Sequence, residues 1–180
     1  VLAMTAEFVR DAVATCAIFG FFGMVWFGWA HEAPPARLRR PLAAGLALSI
    51  VAVVVGGALT WRYWSDGTVF DEQTGPTYGI IVAIEFAIAA VGAVVLAIRD
   101  RQDLIPPWIA IIVGLHLFPL AMVLNYPMLH VVAALVTAAG LVAVPVARAL
   151  QVAVSAVTGI AAGTVLLAAA AYSASTIAAI

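Results

Sequence analysis

Residues 79–98 read GIIVAIEFAIAAVGAVVLAI, an apolar run carrying a single ionisable group, Glu85. At a helical rise of about 1.5 Å per residue the run covers roughly 30 Å, the thickness of a bilayer's hydrocarbon core. No proline and no second charge interrupts it, so the stretch reads as a transmembrane helix. Five further apolar segments of spanning length lie near 8–30, 42–60, 107–124, 128–147 and 152–178. The expected fold class is therefore all-α: an integral membrane bundle of six transmembrane helices, forming a single transmembrane domain over residues 1–180.

Composition points the same way. The chain is 66% hydrophobic and only 9% charged, against roughly 25% charged residues in soluble domains. Its mean hydropathy is +1.15. So little polar surface could not keep the chain dissolved in water, and no length is left for a separate soluble domain. The formal net charge of −1 argues neither for nor against a nucleic-acid partner, but no basic site for one is present, so none is expected. All eight cations are arginine. The absence of lysine excludes a Schiff-base cofactor and a lysine nucleophile. A single cysteine, Cys16, excludes an internal disulfide and a CxxC redox pair. Val1–Ala3 stand ahead of Met4, so either position is a candidate start. The first apolar segment is long enough to span, and no cleavable signal peptide is expected.

The connections order the spans. Residues 33–41, APPARLRRP, form a proline-punctuated turn with three arginines. Residues 61–78, WRYWSDGTVFDEQTGPTY, form the one long loop, with turn signals at Asp66-Gly67 and Gly75-Pro76. RDRQDLIPP is short and charged, and Asn125-Tyr126-Pro127 barely separates the fourth and fifth spans. Six of the eight arginines follow spans 1, 3 and 5, on one side, whereas only Arg10 and Arg62 lie on the other. The positive-inside rule makes the arginine-rich side cytoplasmic, with both termini extracytoplasmic. The arginine-for-lysine bias, with abundant alanine, valine and glycine, suggests a bacterial chain and hence the cytoplasmic (inner) membrane. Trp26, Trp29 and Trp108 near the inner interface, and Trp61 and Trp64 near the outer one, read as an aromatic belt. Ser155, Gly159 and Gly163 make a small-xxx-small face on span 6, and Gly20, Gly23 and Gly28 a similar one on span 1. Such faces serve packing within a bundle or a homo-oligomer.

A few polar groups remain inside the spans. Glu85 lies about seven residues, roughly 10 Å, from the outer end of span 3. A charge at that depth costs at least about 2.5 kcal/mol unless it is paired, neutralised or hydrated. His116, in VGLHLFPLAMVLN (113–125), sits at a similar depth in span 4, and the short 3–4 connection makes the two helices neighbours. Pro119 has no amide to donate, which frees the carbonyl of Leu115 beside the imidazole. Asp11, Tyr78, Asn125, Tyr126 and His130 lie toward the outer side, as do Tyr63, Tyr172, Ser173 and Ser175. The set Glu85, His116, Asn125, Tyr126, His130, Asp11 and Tyr78 is the candidate ligand-binding constellation, an outward-facing cavity with the 61–78 loop as its lid. On the inner side, His31 and Glu32 read as caps of span 1.

Several chemistries lack their residues. His116 and His130 are offset by about 9 Å in depth, which disfavours bis-histidine haem, and no cofactor is assigned. Glu85, His116 and His130 are a conceivable zinc set, but no HExxH or paired-cysteine spacing supports a metal, and none is assigned. There is no GxSxG nucleophile elbow.

The segment GLHLFPLA, preceded by the Arg/Asp-rich turn and IPPWIAIIVG, resembles small uncharacterised multi-pass membrane proteins of actinobacteria, a family of unknown function. The likeness covers roughly residues 80–130 and implies a membrane location and no activity. Two functions fit the residues. The first is a transporter or binder of a small molecule or ion through a protonatable Glu85–His116 cavity. The alternative is an intramembrane enzyme with Glu85 as general acid and His116 as base, acting on an isoprenoid or sterol-like substrate. Expected partners are the lipid bilayer and a small-molecule or lipid ligand.

Overall fold

The structure, a computed structural model, describes residues 4–32 and 34–176. The reading of Val1–Ala3, Ala33 at the head of the first arginine turn, and the end of the sixth expected span lie outside the described residues. Six helices form: α1 (Val9–Ala30), α2 (Arg39–Arg62), α3 (Thr74–Ile98), α4 (Ile105–Val123), α5 (Met128–Leu150) and α6 (Val154–Ser175). Short 3-10 turns at Ala36–Leu38 and Gln102–Leu104 lead into α2 and α4. Among the described residues there is no strand, and all six helices are long and apolar enough to cross a membrane.

Three helices begin earlier than the apolar runs suggest, for one reason. Pro41, Pro76 and the pair Pro106-Pro107 fall in the first turns of α2, α3 and α4, where a helix has no use for the missing amide. Gly75-Pro76 is therefore helical and not a turn. Asp71 Oδ1 accepts the amides of Gln73 (2.9 Å) and Thr74 (2.7 Å) and so satisfies free donors at the start of α3. The amides of Thr74 and Gln73 hold the Asp71 carboxyl below the usual carboxylate range. The Asp66-Gly67 signal does form a turn, with Gly67 at φ +84, a backbone conformation open to glycine. α5 runs through Pro145 to Leu150 and ends on Gln151, left-handed at φ 54.

The helices pack in the order α2, α1, α6, α5, α4, α3. The α2–α3 loop must therefore carry the chain from one side of α1 to the other. It does so by crossing the start of α1, with Gly67 against the Phe8 ring and both Asp11 carboxylate oxygens bonded to the loop. Arg10 adds a second tie, donating to the Trp64 carbonyl (3.0 Å) and stacking 4.5 Å over its ring. This topology leaves α1 and α3 facing each other across a gap that α4 closes from behind.

In lipid, the hydrophobic effect gives helices no reason to prefer one another, and association rests on close packing. The glycines supply it. A Cβ on Gly159 would run into the Trp26 carbonyl of α1, and one on Gly114 would run into Thr137 of α5. The small-residue series of span 6 thus meets α1 of the same chain, as Gly20 and Gly23 meet α2, while Gly28 faces open space. The tryptophans divide. Trp61 and Trp64 are exposed, as a belt requires, but Trp26 is buried in the core beside the half-buried Trp29. Trp108 donates to the Ala89 carbonyl of α3 (3.2 Å), its indole lying against Gly92. α3 buries none of its residues fully and leans mainly on α4.

Candidate functional site

The gap between α1 and α3 is a cavity of about 150 Å³. Its α1 wall is a stripe at helical spacing, Asp11, Thr15, Ile18, Phe19 and Phe22, which spans roughly 16 Å along the axis. Facing it, α3 contributes Tyr78, Val82, Glu85 and Phe86, and α4 contributes Val113, His116, Leu117 and Leu120. Phe70 from the loop reaches in at the near end and meets the Tyr78 ring edge-on at 5.3 Å. The walls are apolar over most of their length, and the polar groups gather at the two ends.

At the deep end sit the two ionisable residues. His116 Nε2 lies 3.3 Å from Glu85 Oε2, with the side chains only 14% and 11% exposed. The earlier start of α3 places Glu85 near the middle of its helix, deeper than the apolar run alone implies. The separation exceeds the roughly 2.7–2.9 Å of a charge-assisted hydrogen bond, so the two groups adjoin without being fully engaged. Nδ1 of His116 is buried and, among the described residues, meets no acceptor at good hydrogen-bond geometry, although the Val113 and Ile112 carbonyls one turn back lie close to the ring. Buried polar groups are normally paired, and an unpaired one costs about 1–3 kcal/mol. Glu85 has no hydrogen bond among the described residues, so the site holds hydrogen-bonding capacity at its carboxyl that those residues do not use.

At the near end the polar residues serve the protein. Asp11 Oδ1 accepts the Thr68 hydroxyl and Oδ2 the Val69 amide, both at 2.7 Å, so its carboxylate is occupied in fastening the loop. Tyr126 lines the cavity with its ring, is 1% exposed, and shares a 2.9 Å hydrogen bond with Ser173 of α6. Burial pushes its phenol up from the ordinary value.

The structure thus brings Glu85, His116, Tyr78, Asp11 and Tyr126 to one cavity. Asn125 and His130 are elsewhere. Asn125 is an exposed turn residue at φ 46 whose amide donates to Glu7 Oε2 (3.3 Å), and Asn tolerates that left-handed backbone well. His130 is exposed, its ring 6.2 Å from Phe118, so Glu85, His116 and His130 do not assemble as one ligand set. Sequence reasoning missed Thr15, Phe19, Phe22, Phe70 and Phe86. The α1 stripe carried a readable signal, since Asp11, Thr15, Phe19 and Phe22 recur at spacings of four, four and three.

Ile18, Phe22 and Phe86 line the cavity and are also 45%, 39% and 60% exposed on the outside of the bundle. The cavity consequently opens sideways between α1 and α3, at the depth of the Glu85–His116 pair, while the loop crosses its near end. No family model, curated protein or solved structure matches the chain.

Proposed function

We propose that the protein binds a small apolar or amphiphilic molecule drawn from the bilayer, with the Glu85–His116 pair holding its polar group. The observation that carries this reading is the Glu85 carboxyl, beside His116 and without a hydrogen bond among the described residues, inside a greasy slot that opens sideways from the bundle. An apolar protein cavity of about 150 Å³ takes up a benzene-sized ring, and a longer ligand would leave its tail in the gap between α1 and α3. The apolar walls favour such a ligand over an ion following a water path. Binding is the first step of a transport cycle, and α3, held mainly by α4, is the least anchored of the six helices. Native mass spectrometry of protein in lipid nanodiscs tests the reading. A bound molecule should leave with the wild type and be missing from Ala14→Phe, since Ala14 lines the α1 wall and a phenyl group there fills the slot. An unchanged bound molecule in that variant would overturn it.

A second reading rests on the proximity of the pair itself. A carboxyl and an imidazole 3.3 Å apart can supply an acid and a base to one substrate, with Glu85 as the proton donor. Turnover of a bound isoprenoid by the wild type but not by Glu85→Gln would favour it over simple binding.

We also propose that the end carrying the α2–α3 loop is extracytoplasmic in a bacterial inner membrane. That end holds two arginines against five acids, and the opposite end six arginines against three, in the sense of the positive-inside rule.

A further inference from the structure

Resting on the lipid-phase reading above, we propose the chemical class of the ligand: a neutral lipid whose small ring carries a carbonyl or hydroxyl oxygen, the chemistry shared by prenylated quinones and cyclic isoprenoid alcohols. Three observations carry it. The first is depth. Glu85 stands near the midpoint of α3, and the side opening marked by Phe22 and Phe86 is level with it. A phospholipid or fatty acid keeps its charged head at the interface, since a charge at the bilayer centre costs several kcal/mol. A molecule that offers a polar atom at mid-depth is therefore neutral and mostly apolar.

The second is shape. The walls at the deep end are Phe19, Phe22, Phe86, Val113 and Leu117. Aromatic side chains stack or pack edge-to-face on another ring, and a cavity of about 150 Å³ accepts a ring of benzene size.

The third is proton count. Taken together and net neutral, the carboxyl and the imidazole hold two exchangeable protons. One lies in the contact between Oε2 and Nε2. The second is free for a ligand oxygen at Oε1 of Glu85, which has no hydrogen-bond partner among the described residues, or is held on the covered Nδ1 of His116, which leaves Oε1 as an acceptor. The pair can donate to a carbonyl or accept from a hydroxyl, and in both cases it recognises one oxygen.

Four probes of matched size test this on the full chain in nanodiscs, by native mass spectrometry titration: 2-decyl-1,4-benzoquinone, 4-decylphenol, decylbenzene and dodecyl phosphate. One hydrogen bond gained predicts that the quinone, the phenol or both bind about tenfold tighter than decylbenzene. Which of the two wins separates the carbonyl from the hydroxyl source. In Glu85→Leu/His116→Leu that advantage should shrink to within about threefold while decylbenzene still binds. Decylbenzene binding as tightly as the oxygenated probes would overturn the ring-oxygen inference and leave the lipid-phase pocket standing. Dodecyl phosphate binding tightest would overturn neutrality. No probe binding the wild type, or equal binding to Ala14→Phe, would overturn the pocket as well.

Discussion

His116 and Glu85, on different helices and 31 positions apart in the chain, place Nε2 and Oε2 3.3 Å from each other at the deep end of an apolar slot. The contact is close enough to couple the groups and too long to satisfy them. A pair kept for stability would be expected to close to hydrogen-bonding distance and cover its remaining polar atoms. Here the Glu85 carboxyl has no hydrogen bond among the described residues, and Nδ1 of His116 is covered without an acceptor at good geometry.

Replacing both members by leucine should therefore leave stability unchanged or raise it, by up to about 4 kcal/mol, as apolar replacement of buried ion pairs does elsewhere. His116→Ala alone should destabilise, because it strands Glu85. Thermal unfolding of the three proteins in one detergent checks the order. A double variant less stable than the wild type would make the pair structural.

Asp11→Ala removes both hydrogen bonds that fasten Thr68 and Val69 to α1. Two bonds to a charged acceptor are together worth about 3 kcal/mol or more, enough to raise local opening more than a hundredfold. Amide exchange should quicken across residues 67–72 and stay unchanged in α5. Protection equal to the wild type would mean that Arg10 and Trp64 hold the loop unaided.

Gly159→Val should weaken the α1–α6 crossing by about 1–3 kcal/mol or more, since its first added carbon meets the Trp26 carbonyl and Ala30. Gly28→Val faces open space and serves as the control. Equal melting temperatures for the two variants would show that α1 and α6 do not meet as described.

Cysteines introduced at Ser65 and at Gln102 should respond oppositely to a membrane-impermeant maleimide applied to intact cells. Ser65→Cys, in the α2–α3 loop, should label, and Gln102→Cys should not until the membrane is opened. The native Cys16 is buried and packed on α2, so background stays low. The reverse pattern would invert the proposed orientation.

The site was legible only in part. Glu85 and His116 stand out because an ionisable group in an apolar run is costly, and counting residues put them at similar depth, although α3 starts earlier than the count assumed. Asp11 was equally visible, yet its carboxylate fastens a loop. His130 and Asn125 sit close to His116 in sequence and face away from the cavity. Phe70 enters it from a loop whose path no local pattern describes.

Residues 79–98 and the five runs like them were enough to determine an all-helical chain of six membrane-length segments, because hydropathy over twenty residues is a local property. Which way each helix turns was decided by tertiary packing. Beyond its first turns, and apart from Glu85, α3 is apolar on every side, and a face toward lipid looks in sequence like a face toward protein. In water the exposed side of a helix is polar and betrays its rotation. In a bilayer that signal disappears, and the contacts of Gly159 with Trp26, Trp108 with Ala89 and Asp11 with the loop set the rotations that bring Glu85 to His116.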